Sequence, residues 1–377
     1  MFREITDRRS FLVQTAVAGI ALLEAGRCLA APRDGARAGG AKPGGEWKPR
    51  VDADMEKMLR ADNAPGAALG VVRAGKVVYT KGYGRKNLPD GGVPDADTVF
   101  YIGSLSKALT AVGAMLLVEH GKLKLDAPAG EYIKDLPAAW RHITIRQYMS
   151  HTSGIPQISR KAKTDHETID EVYKEFAGSK LTSPPGGKEE YNNFNFAIIG
   201  NVIEKISGLS YMEYMTRRVF KPLGMDHTGI GNLSPANHAL GYERNKAGKL
   251  KESQANVVPM GTPSGGLEST IADLLKLDEA LRTNTLLKPR AFKQMITPVE
   301  KFNATPGWFV RKAGKYTIVN KDGAAGGFSS LLSFVPGHGH AVIILRNMQG
   351  TGVSLTPVTN EIFHTACDLP TIKEGRK

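Results

Sequence analysis

The chain has 377 residues, 41% of them hydrophobic and 23% charged, the proportions of a soluble globular protein with enough apolar material for one large domain or two lobes. Lys and Arg number 50 against 37 Asp and Glu, a net charge of +13 that is spread along the chain without a long basic run. Such a surface can favour an anionic cell envelope but gives no reason to read a nucleic-acid binder. The two cysteines, Cys28 and Cys367, exclude a disulfide framework, and no Cys/His spacing matches a structural zinc site.

Residues 1–38 read as an export signal. Thr6-Asp7-Arg8-Arg9-Ser10-Phe11-Leu12 resembles the twin-arginine pattern, and an apolar run from Val13 to Leu23 follows that is too short to span a bilayer comfortably. Small-residue cleavage sites come next, at Cys28-Leu29-Ala30 or Ala36-Arg37-Ala38. The order implies a protein released into the bacterial periplasm, with no stable membrane insertion. Residues 39–50, rich in Gly, Ala and Pro at their start, read as a flexible leader.

The folded part is expected over 51–367, with a tail at 368–377. A helix is predicted from Val51 to Ala61. Two strands, Ala67–Val72 and Lys76–Thr80, are joined by the hairpin Arg73-Ala74-Gly75. The next helix has apolar residues at 105, 108, 109, 112 and 116 and stops at Gly121. From about 125 to 255 the pattern is mainly helical, interrupted by Pro137, Pro156, Pro184-Pro185 and Pro222. Amphipathic helices are clearest at 194–206 and 270–282. Strands return at Tyr316–Asn320, Ser329–Val335 and Ala341–Asn347, before a closing helix at Thr356–Cys367. Strands at both chain ends with helices between predict an α/β (α+β) plan, one sheet built from the two ends and a helical insertion lobe.

Several motifs fail on context. Gly70 to Lys76 spells G-x-x-x-x-G-K, but Val77 follows and the setting is a hairpin, not a phosphate loop. No G-x-S-x-G elbow and no H-E-x-x-H is present. His338 and His340 fall in a predicted turn. Ser104 and Lys107, three apart at a helix start, flank the buried stripe on one side. The helix N-terminus favours an oxyanion and disfavours a protonated amine. A serine beside a lysine is also an ordinary helix opening, so this pair alone decides nothing. Tyr191 and Asn193 precede the helix at 194, where an asparagine can also be a simple cap. Lys321-Asp322-Gly323 leads into the glycine-rich turn Ala324-Ala325-Gly326-Gly327, which could equally be a plain turn between strands.

Taken in order, S-x-x-K, Y-x-N and K-x-G resemble the serine β-lactamase-related hydrolases, a group that includes class C β-lactamases, D-alanyl-D-alanine carboxypeptidases, D-aminopeptidases and β-lactamase-like esterases. His151-Thr152-Ser153-Gly154, Pro222-Leu223-Gly224-Met225 and Gly265-Gly266-Leu267-Glu268-Ser269-Thr270 are similar to further segments of that family. The resemblance implies a β-lactamase/transpeptidase-like fold over about 50–367 and no metal or organic cofactor. It implies Ser104 as nucleophile, Lys107 as its base and Tyr191 as the proton carrier. Asn193, Lys321, Gly323 and Ala324 would bind substrate, with the backbone N–H groups of Ser104 and Ala324 forming the oxyanion hole. Ser106 reads as structural. The substrate implied is a small molecule or peptidoglycan-like compound carrying an ester or amide. A cell-wall sensor that acylates without turnover is the alternative.

One position departs from the pattern. The β-lactamases and many peptidases carry Thr or Ser at the middle of K-x-G, and here it is Asp322. Strand alternation predicts its side chain on the face opposite Lys321.

Overall fold

The computed structural model describes residues 46–158, 168–231, 233–253, 261–299, 301–349 and 353–371. The expected signal and most of the leader lie outside them. The leader ends sooner than expected: helix α1 runs Lys48–Asp62, so residues 48–50 are its first turn. Pro49 fits there because the first helical N–H groups have no partner anyway. Trp47, directly before it, is buried with its ring edge-on to Tyr79. The tail likewise begins packed, since Leu369 is buried and Asp368 pairs with Arg73 at 2.6 Å.

A six-stranded antiparallel sheet forms the frame. Its strands are β1 (Gly66–Arg73), β2 (Lys76–Gly84), β3 (Phe309–Ala313), β4 (Tyr316–Ala325), β5 (Phe328–Val335) and β6 (His340–Arg346). They lie in the order β2-β1-β6-β5-β4-β3, so the two chain ends meet where β1 pairs with β6. This is the arrangement the sequence predicts. Strand β3 is additional: its mixed run Phe309-Val310-Arg311-Lys312-Ala313 has no clean alternation.

Strands β1 and β6 are apolar on both faces because both faces are covered. On one face Ala67, Leu69, Val71, Val342 and Ile344 pack against α1 and the closing helix α5 (Thr356–Cys367). On the other face Ala68, Val72, Ile343 and Leu345 join the larger core. That core holds α2 (Ser106–Glu119), α3 (Phe194–Ser207) and α4 (Ile271–Arg282). Each fully buried aliphatic side chain contributes roughly 1.5–3 kcal/mol. Arg346 Nη1 stands 2.5 Å from Asp62 Oδ2 in the buried layer, tying α1 to β6. Residues 125–253 include short helices at Ile145–Met149, Ile169–Glu175 and Tyr211–Met215, plus a small hairpin of Gly241–Arg244 with Leu250–Ser253.

Strand β4 runs on to Ala325, beyond Asn320, where the apolar pattern predicts its end. Lys321-Asp322-Gly323 is therefore inside the strand, and Gly326-Gly327, both at positive φ, make the turn of the β4–β5 hairpin. Strand β3 pairs only with residues 316–320, which leaves the edge of β4 from Lys321 onward open to the helical lobe.

Candidate active site

Ser104 sits in a single 3-10 turn, Gly103–Leu105, directly before α2, and is half-buried. Gly103 enters this turn at φ 52°, a conformation that favours glycine. A Cβ there would come within 2.9 Å of Ala324 N. The turn is thus pressed onto the open edge of β4, with the Ala324 amide beside it. Gly323 makes the same contact from the strand side: a Cβ on it would meet Ile102 O at 2.1 Å. The contact explains why this position is glycine. Gly323 is buried beneath the serine turn, where only a residue without a side chain fits.

Ser106 behaves as a structural residue. Its hydroxyl donates to Gly103 O at 2.7 Å and accepts from Leu267 N at 3.1 Å. Ile102 N–H in turn donates to Leu267 O at 3.0 Å, so the Gly265-Gly266-Leu267 segment clamps the serine turn from the other side.

Lys107 is fully buried on the first turn of α2. Its Nζ is 3.2 Å from Ser104 Oγ, 2.8 Å from Asn193 Oδ1 and in hydrogen-bond contact with Ser264 O. Among the described residues no carboxylate is bonded to it. Burial drives its pKa well below the usual lysine value, the nearby Lys321 adds to this, and Asp322 opposes it. A neutral amine has two hydrogens and one lone pair. Asn193 Oδ1 and Ser264 O can only accept, so they take the hydrogens. The lone pair is left facing Ser104, the one of its three partners with a proton to give.

Tyr191 donates its hydroxyl hydrogen to Ser104 Oγ at 2.7 Å. Burial of its phenol end pushes its pKa up to about 12, with the Ser104 hydrogen bond opposing and Asp322 assisting. It is therefore a phenol near neutral pH and a hydrogen-bond donor to Ser104. Asn193 precedes α3 but does not cap it. Asn192 Oδ1 instead accepts from Phe194 N at 2.9 Å. Asn193 turns its oxygen to Lys107, which leaves its NH2 group as a donor on an exposed residue.

Lys321 projects from β4 under Tyr191, its Nζ 5.3 Å from that ring's centroid and 5.3 Å from the Phe309 ring. Burial lowers its pKa, with Asp322 pulling the other way. Asp322 follows strand alternation only in part. It is exposed, as expected for the face opposite Lys321, yet its Oδ1 comes back to 3.4 Å from Lys321 Nζ. The open edge of β4 explains this, because no neighbouring strand separates the two side chains there.

Two participants are given no role in the sequence reading. One is the Ser264 carbonyl, a backbone group with no residue signature. The other is His151, buried at φ 58° with its ring 4.4 Å from that of Tyr191. Burial holds its pKa well below the usual histidine value, and the neighbouring Lys107 and Lys321 disfavour a charged ring further. Its Nδ1 accepts the Asn192 N–H at 3.2 Å. A neutral ring fixed in this way forms the back wall for Tyr191, and the H-T-S-G segment is its one signal in the sequence.

This assembly of motifs matches the family model "Beta-lactamase" over residues 51–364. The chain belongs to the Beta-lactamase family. It is 27% identical over 317 residues to Protein flp of Staphylococcus aureus (strain MW2), covering 79% of this chain and 63% of that protein. The chain thus spans under two thirds of the length of that relative. Among solved structures it is similar to the octameric penicillin-binding protein homologue from Pyrococcus abyssi, with a TM-score of 0.73 and 23% identity over 84% of this chain and 76% of that one. It is also similar to the D-alanine carboxypeptidase AmpC from Burkholderia cenocepacia, with a TM-score of 0.71 and 24% identity over 85% of this chain and 99% of that one. These two likenesses establish a shared β-lactamase/transpeptidase-like fold.

Proposed function

We propose that the protein is a periplasmic serine hydrolase that cleaves an ester or amide through an acyl-enzyme on Ser104. The observation that carries this reading is the contact set around Ser104 Oγ, with Tyr191 OH at 2.7 Å and the buried Lys107 Nζ at 3.2 Å. The periplasmic address rests on the Arg8-Arg9 segment and the apolar run behind it.

Ser104 Oγ attacks the substrate carbonyl carbon and its proton passes to Lys107 Nζ. The oxyanion that forms is met by the N–H groups of Ser104 and Ala324, each such donor contributing about 3 kcal/mol to the transition state. Asn193 holds the substrate through its free NH2. The bond to the leaving group breaks, and the proton reaches that group through the Tyr191 hydroxyl. Water then attacks the acyl-enzyme with the same residues acting in reverse, which frees the acid and restores Ser104.

Ser104→Ala is expected to lower hydrolysis of a p-nitrophenyl ester by about 10⁴-fold or more and to abolish labelling by a fluorophosphonate. Undiminished hydrolysis in the variant would overturn the reading. One equivalent of product released per protein, then none, would replace it with acylation without turnover.

A further inference from the structure

The acyl-enzyme reaction gives Asp322 no task, yet its carboxylate reaches Lys321 beside Tyr191. It stands 3.4 Å from Lys321 Nζ. Its side chain is 69% exposed, against 3% for that of Lys321. Lys321 has little freedom to leave this contact, since its ammonium is wedged against the rings of Tyr191 and Phe309. The buried cation that could receive an anionic group of a substrate therefore already has an anion from its own chain.

Burial shifts Lys107 towards its neutral form, Tyr191 is a phenol and His151 is a neutral imidazole. The ion pair of Lys321 with Asp322 is left beside Tyr191, its two charges opposed. A substrate carboxylate approaching Lys321 would find no net attraction, and it would have to lie beside the exposed oxygens of Asp322. An uncharged group would meet no such opposition.

We propose that Asp322 is a specificity-determining residue that makes this site select esters or amides without a free carboxylate beside the scissile bond. The proposal rests on the hydrolase reading and adds the substrate class. Its weight comes from one position: a neutral residue there would leave Lys321 as an unpaired cation facing the substrate.

A matched pair of substrates tests it. Phenyl acetate and 3-carboxyphenyl acetate differ in one carboxylate on the leaving group. Their kcat/KM values are measured for the intact protein, for Asp322→Asn and for Asp322→Thr. Both substitutions fall on an exposed side chain, so the fold should tolerate them. The ratio for the carboxylated over the plain ester is expected to rise about tenfold in each variant, mainly through KM, and the rise should shrink in about 1 M salt. A ratio unchanged in both variants overturns the role given to Asp322 and leaves the hydrolase reading standing, provided that phenyl acetate cleavage depends on Ser104. If the intact protein cleaves neither ester, or if Ser104→Ala cleaves them equally well, the hydrolase reading falls and the selectivity falls with it.

Discussion

Two lysines are buried within reach of Tyr191, and their surroundings make them different reagents. Lys107 is bonded to neutral oxygens, from Ser104, Asn193 and Ser264. Lys321 has the carboxylate of Asp322. Burial lowers both pKa values, but it does so much further for Lys107, where the charge of Lys321 adds to the effect. In the proposed mechanism one residue type supplies both a proton acceptor and a positive charge. What decides between them is whether a counter-charge lies within a few ångströms.

The largest effect should come from removing the base. Lys107→Met is expected to cut kcat/KM for a neutral ester by about 10³-fold, because a positioned general base contributes roughly 10²–10⁴-fold. A loss below about tenfold would mean that something other than Lys107 takes the Ser104 proton. Lys321→Met should cost less, about 10- to 100-fold on the same ester, since it removes electrostatic support and no proton transfer. Equal losses in the two variants would erase the distinction between the lysines.

Much of this is legible in the sequence. Alternation and helical spacing place the hairpin at 67–80, the helix after Ser104 and the closing helix at Thr356–Cys367, because each has one strong apolar pattern and clear stop signals. The ordered motifs bring out Ser104, Lys107, Tyr191, Asn193 and Lys321, and the fold sets Lys107 and Tyr191 on the Ser104 hydroxyl, Asn193 on Lys107 and Lys321 beside the Tyr191 ring. The rest depends on contacts that residue order does not encode. The need for glycine at 323 comes from the Gly103–Leu105 turn, distant in the chain, which lies on top of it, and only the packed structure reveals this. Asp322 reaches Lys321 because β3 stops pairing at Asn320, and the extent of strand pairing is set by two segments at once. The Ser264 carbonyl carries no side-chain signal at all. His151 is visible only as part of a motif, since its stacking on Tyr191 joins two segments far apart in the chain.

The central claim is that neutral Lys107 accepts the proton of Ser104, and the pH dependence of kcat/KM on a neutral ester tests it most directly. The pKa of Lys107 is lowered in the folded protein, and the neutral amine is the active form. Activity should therefore be full above that lowered pKa and fall as the pH drops through it. Asp322 holds the Lys107 pKa up, so Asp322→Asn should move the acidic limb to lower pH. An acidic limb that moves to higher pH in Asp322→Asn, or activity that rises as Lys107 becomes protonated, would contradict the account.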